Sequence, residues 1–150
     1  MKQSMKIEEV LEQQGIYVST TVGTSMYPLL RSRCDTIVIR PVTGRLNKYD
    51  VPLYRRGSDY VLHRIVKVTK TGYVICGDNC LHREYGITDA QIVGVLSGIV
   101  RGEKGIDLQG WKYRWYCRIW VGIYPLRYAA KRVKMIAGRI KNRGKRWNSK

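Results

Sequence analysis

Ser25 and His63 carry the most direct chemistry this chain offers. A serine hydroxyl is a poor nucleophile near neutral pH, and attack on a carbonyl needs a partner that takes its proton. An imidazole with an ordinary pKa of about 6.5 is largely neutral there and can serve without being desolvated. Ser25 stands in Gly23-Thr24-Ser25-Met26-Tyr27-Pro28-Leu29-Leu30. Gly23 permits backbone angles that other residues resist, and Pro28 fixes φ and withholds a donor. The hydroxyl is thereby set at a turn between a flexible approach and a stiff exit, with Met26 and Leu29 free to pack beneath it. His63 lies in Tyr60-Val61-Leu62-His63-Arg64-Ile65-Val66, whose alternation predicts a strand.

The elements that must position this pair are short. Ser4 is placed to cap a helix with Ile7, Val10 and Leu11 on one face and Gly15 at its end. Residues 16–22 alternate as a strand leading into the Ser25 turn, and 35–40 are a second strand of β-branched residues. Residues 48–51 read as the start of the next strand, where Pro52 predicts an edge or a bulge. Arg55-Arg56-Gly57-Ser58-Asp59 is a hairpin turn, after which 60–68 returns as one strand with His63 and Ile65 on a shared face. A turn at Thr71-Gly72 leads to a strand over 73–76, then to Gly77-Asp78-Asn79. Residues 88–91 suit a brief helical turn, and 92–100 suit a buried strand whose glycines let backbones crowd. Closely spaced short strands of this kind predict a mainly β barrel or sandwich.

Gly-x-Ser-Met-x-Pro, a His-Arg-Ile strand and a Gly-Asp-Asn turn, in that order, resemble the type I signal peptidases. That superfamily of mostly-β serine peptidases includes the self-cleaving SOS-response repressors, and the resemblance covers roughly residues 15–100. It implies a signal-peptidase-like or SOS-repressor-C-terminal-like fold and a serine endopeptidase that cleaves a leader or precursor peptide. Ser25 would be the nucleophile, and His63 the base and then the acid that protonates the leaving amine. Most bacterial members use Lys where this chain has Leu62-His63-Arg64, which resembles the endoplasmic-reticulum and archaeal branch. In that branch an acidic residue beyond Gly-Asp-Asn matters alongside the Asp of the turn. The candidates here are Asp78 and Glu84, the latter in place of a more usual Asp, and Asp78 could instead cap its own turn. Bacterial members often place a Ser where Gly23 stands. Gly23, Thr24 and Met26 are therefore the residues around the oxyanion, with the Ser25 amide as one donor, although Met26 suits packing under the site. Arg64 reads as structural or solvent-facing. An extended substrate could add a strand beside the site.

The 150 residues suit a catalytic domain over 1–110 followed by a basic helical tail over 111–150. Lys and Arg number 28 against 11 Asp and Glu, and the imbalance sits in the tail. From Trp111 onward there are 13 basic residues and no acidic one, whereas the first 110 residues hold 15 basic and 11 acidic. Trp115, Ile119, Ile123, Leu126, Ala130, Val133, Ala137 and Ile140 follow helical steps, and Pro125 predicts a break. Three uses of such a helix compete. With Trp111, Trp115 and Trp120 it could lie on an anionic membrane surface. Its apolar stripe could instead pack on the β-domain or a partner, leaving the charge as a solvated face. Nucleic-acid binding is the weakest of the three, since no recognition motif accompanies the charge.

Cys34, Cys76, Cys80 and Cys117 lack the density of a disulfide scaffold, and Cys76, Cys80 and His82 lack a second ligand pair, so neither cofactor nor metal is expected. Glu8, Glu9 and Glu12 interrupt the only N-terminal apolar pattern, and no uncharged run is long and apolar enough for a membrane span. A cytoplasmic or peripheral membrane protein is the expectation. The rival function is a degenerate, non-catalytic module that binds a peptide or a membrane.

Overall fold

The computed structural model describes the backbone of residues 6–147 and the side chains of residues 6–140, so the proposed Ser4 cap lies outside the described residues. The chain runs α1 (Ile7–Gln14), β1 (Tyr17–Thr20), β2 (Asp35–Arg40), β3 (Pro52–Arg56), β4 (Asp59–Leu62), β5 (Arg64–Val68), β6 (Tyr73–Cys76) and β7 (Glu84–Ile87). A 3-10 turn (Asp89–Gln91), β8 (Ile92–Arg101), β9 (Lys104–Ile106), α2 (Trp111–Gly122) and α3 (Tyr124–Trp147) complete it. It is mainly β, with a short N-terminal helix and helices at the C-terminal end.

α1 ends where Gly15 takes a left-handed conformation (φ 69°) and its amide bonds the Leu11 carbonyl. β8 is the spine of a six-stranded antiparallel sheet in the order β1-β2-β8-β3-β4, with β9 also on β8. Its ten residues are long enough to serve β2 along one edge and both β3 and β9 along the other. Gly94 is required in this spine. A Cβ there would lie 2.5 Å from Ile39 Cγ2 and 2.9 Å from the Arg40 carbonyl oxygen. Bulges in the pairings of β8 with β2 and with β3 help the sheet curl into a half-barrel. A second, three-stranded sheet has the order β5-β6-β7.

Two apolar cores result. Leu11, Met26, Leu29, Ile37, Leu53 and Ile99 belong to the first, while Tyr54, Ile65, Tyr73, Ile75 and Ile87 belong to the second. Leu53 and Tyr54 serve different cores because successive strand residues point to opposite faces.

Three expectations need correction. Residues 60–68 do not form one strand: the ladder stops at His63, so β4 stays in the large sheet and β5 enters the small one. Alternation continues across this break, which is why the pattern conceals it. Lys48 and Tyr49 form a turn rather than a strand entry, with Tyr49 at φ 83° and the Asn47 amide on Asp50 Oδ2 at 2.8 Å. Of the edge or bulge expected at Pro52, the bulge is what is found. Pro52 begins β3, which lies between β8 and β4, and the bulge follows between Leu53 and Tyr54.

The third correction concerns the tail. Helix breaks near Pro125 as the sequence predicts, but the apolar stripe does not pack on the body. Trp111, Trp115, Ile119, Leu126, Val133 and Ile140 are exposed, while Tyr113, Tyr116, Cys117 and Trp120 face inward. Trp120 thus belongs to the inner face and not to an outer aromatic row.

Candidate active site

The break at His63 is what creates the site. At the joint between two sheets, the imidazole leaves the ladder and enters a groove of about 550 Å³ shared with Ser25. The groove is walled by Ser19 and Thr20 of β1 and by Tyr60, Val61 and Leu62 of β4. These are the two edge strands of the curled sheet, so an extended chain lying between them would find unpaired backbone groups on either side.

Ser25 is held by its backbone. Gly23 turns the chain at φ 98°, and its amide donates to Ser32 Oγ at 3.1 Å. The Asn79 amide donates to the Ser25 carbonyl at 2.7 Å, and Asn79 Nδ2 donates to the Thr24 carbonyl at 3.1 Å. Met26 is buried in the first core and anchors the turn from below. Among the described residues the amides of Thr24, Ser25 and Met26 donate to no protein acceptor, so donors stand available beside the hydroxyl for a developing oxyanion.

Gly77 sets how closely the two halves approach. A Cβ at this position would sit 2.7 Å from the Ser25 carbonyl oxygen and 3.0 Å from His63 Nε2. Any other residue would push the Ser25 turn and the imidazole apart. The hydrogen bonds of His63 are made by Nδ1, and Ser25 Oγ is not joined to it among the described residues. Serine–imidazole contacts commonly tighten only when substrate binds.

Nδ1 lies 3.2 Å from Glu84 Oε1 and 3.2 Å from the Tyr54 hydroxyl oxygen. That hydroxyl donates to the same Glu84 oxygen at 2.8 Å, so its proton is committed. Nδ1 must then carry the proton it shares with these oxygens, which leaves the Nε2 lone pair beside Gly77 free to accept one. Arg56 also reaches Glu84 Oε1, at 3.3 Å. Burial pulls the His63 pKa below its ordinary 6.5, against the neighbouring Glu84, which favours the imidazolium. Burial and the bond to Glu84 push the Tyr54 phenol upward, so it remains a neutral donor.

Asp78 goes elsewhere. Its carboxylate receives Arg64 Nε and Nη2, both at 2.8 Å, and the Tyr116 hydroxyl at 2.8 Å. It neither faces Nδ1 of His63 nor caps its own turn. Arg64 is fully buried, not solvent-facing, and its Nη1 bonds the Tyr49 carbonyl, the Tyr113 hydroxyl and Cys117 Sγ at 3.0–3.1 Å. The geometry thus separates the two acidic candidates, with Glu84 on the histidine and Asp78 on the arginine. Tyr54 was missed because a tyrosine in a strand reads as core. Arg64 had a usable signal, since an arginine flanked by buried strand positions requires a carboxylate.

Cys80 lines the same groove, and Cys76 is buried. Burial pushes the Cys76 thiol up to about 11 and Cys80 upward as well, so neither is a ready thiolate. Among the described residues no three His, Cys, Asp or Glu side chains cluster as a metal site. A second cavity of about 580 Å³, beside Leu29, Ile106 and Tyr113, holds no nucleophile–base pair. Compared with known proteins, the chain matches no family model and no curated protein.

Proposed function

We propose that the chain is a serine endopeptidase of the signal-peptidase type, acting on an extended leader or precursor peptide. One observation carries this reading: Ser25 and His63 share a groove bounded by two strand edges, with His63 oriented at Nδ1 by Glu84. The fold family belongs to the same proposal. A half-barrel with a Ser-x-x-Pro turn facing a histidine at a sheet joint suits a signal-peptidase-like domain, and the ordered motifs support it.

Substrate backbone would pair with β1 or β4 and bring a carbonyl carbon to Ser25 Oγ. His63 Nε2 takes the hydroxyl proton as the C–O bond forms, and the carbonyl oxygen gains charge near the free amides of the Ser25 turn. Nε2 returns the proton to the amine nitrogen as the C–N bond breaks, leaving an acyl-serine. Water then attacks the acyl carbon, giving its proton to Nε2, and Ser25 recovers its hydroxyl. Glu84 keeps Nδ1 protonated throughout and stabilises the transient imidazolium.

The test is cleavage of a mixed peptide pool, read by mass spectrometry. Ser25→Ala and His63→Ala should each remove cleavage while circular dichroism is unchanged. Equal cleavage by wild type and Ser25→Ala assigns the activity to a contaminant and leaves a non-catalytic peptide-binding module.

A further inference from the structure

α2 and α3 are amphipathic in the reverse of the usual sense. A helix on a globular protein ordinarily buries its apolar stripe and shows water its charged face. Here the inner face carries Tyr116, Trp120, Tyr124, Arg127 and Lys131. Trp120 Nε1 and Arg127 donate to the Asp78 carbonyl, and Lys131 donates to Asn79 Oδ1 at 2.7 Å. The apolar stripe points away from the body, with Trp111 65%, Leu126 73% and Val133 66% exposed. Helical bonds from Ile123 to Ile119 and from Arg127 to Ile123 continue across the junction, so one stripe runs along both helices.

Charge indicates what covers it. Residues 111–140 hold eight Lys and Arg and no acidic residue, and none of the eight is in a salt bridge among the described residues. A second copy would set one basic tail against another, which like-charge repulsion opposes. Nucleic acid would satisfy the charge but leave the stripe in water. An anionic bilayer satisfies both, because headgroups meet Lys112, Arg118, Lys134 and Arg139 while acyl chains meet the stripe. Trp111 and Trp115 are suited to the boundary, having a broad apolar ring and one N–H donor.

We propose that the outward face of α2 and α3 is a docking surface for an anionic lipid bilayer. Both helices lie along the interface. Because the lipid face and the face that grips Gly77-Asp78-Asn79 are opposed, the body remains in water about one helix diameter, roughly 10 Å, from the membrane. Among the described residues no helix is long and apolar enough to cross it. This reading does not depend on peptide cleavage.

The experiment is co-sedimentation of the full chain with phosphatidylcholine vesicles, with or without phosphatidylglycerol, read together with tryptophan fluorescence. Binding should be at least tenfold stronger to the anionic vesicles. It should weaken as salt rises and shift the emission to the blue. Leu126→Asp with Val133→Asp should abolish binding, and Lys134→Glu with Arg139→Glu should reduce the preference for anionic lipid. Among the described residues none of these four side chains bonds the body, so circular dichroism should be preserved in both variants. Failure to sediment, equal binding to both vesicles, or wild-type binding by the Asp variant would each overturn the proposal. A dimer in light scattering that the Asp variant dissolves would assign the stripe to a second copy, and retention on nucleic acid without vesicle binding would assign the charge there.

Discussion

His63 and Arg64 are adjacent in sequence, and each is paired with a carboxylate, yet the two pairs serve opposite ends. Arg64 and Asp78 form a sealed unit: both side chains are almost wholly buried, every guanidinium nitrogen has an acceptor, and Tyr113 and Tyr116 cover the charge. His63 and Glu84 are more open, with Glu84 a quarter exposed and Nε2 bonded to no group among the described residues. The difference follows from strand alternation at the sheet joint, which sends successive side chains to opposite sides. A sealed ion pair resists separation because losing one partner strands a buried charge. A histidine with one nitrogen fixed and the other free can accept a proton and return it. The first pair holds the joint, and the second uses it.

Glu84→Gln tests the open pair and carries the larger expected effect. Turnover should fall by about 10²- to 10⁴-fold, the range for losing the group that orients a catalytic or ligating histidine. Thermal stability should hardly move. The pH profile gives a second readout. In the wild type, burial sets the acid limb below 6.5, and Glu84 opposes that by favouring the imidazolium. Removing its charge leaves burial unopposed by that carboxylate, so the His63 pKa falls further and the remaining activity persists to lower pH. An acid limb that moved upward would show that Glu84 does not act on His63.

Asp78→Ala tests the sealed pair, and the comparison requires its effect to appear in stability. Stranding Arg64 should cost about 3–5 kcal/mol. For a chain of this size that lowers Tm by roughly 10 °C. Turnover per folded molecule should fall less than in Glu84→Gln, with any loss arising through the Asn79 contacts that brace Ser25. Should Asp78→Ala remove turnover at unchanged Tm while Glu84→Gln lowers Tm, the roles assigned to the two carboxylates would be exchanged.

Local patterns were readable where one residue's chemistry settles the matter. Strand β2 was legible because Thr36, Ile37, Val38 and Ile39 favour extended backbone, and the Ser25 turn because Gly23 permits a positive φ and Pro28 fixes its own. What depends on partners was not readable. Alternation from Tyr60 to Val68 says which residues share a face but not that the chain changes sheets at His63. The choice between Asp78 and Glu84 depends on which side chain each reaches, and in sequence one simply lies in the Gly-Asp-Asn turn and the other shortly after it. The tail's periodicity located an apolar stripe, yet a stripe is the same in sequence whether it faces a core or solvent. Only the tyrosines, Cys117 and Trp120 against the body reveal the orientation.

The smallest effect probes the finest detail of the contrast. Tyr54 is buried in the second core, and its hydroxyl reaches over to Glu84 and Nδ1. Tyr54→Phe keeps the ring and its packing, and removes one donor from a carboxylate that retains Arg56. A single hydrogen bond to a charged acceptor contributes about 1.5–3 kcal/mol. Partial exposure of Glu84 lets water replace part of it, so turnover should fall only about three- to tenfold, with KM unchanged. The fall should appear in kcat because the hydroxyl fixes the direction of Glu84 towards Nδ1 and lies behind the imidazole. In the double variant Tyr54→Phe/Glu84→Gln the tyrosine change should have little further effect, since the group it positions is already altered. Full additivity of the two changes would mean that Tyr54 acts on His63 directly, and Nδ1 would then have two independent partners instead of one carboxylate held in place by a phenol.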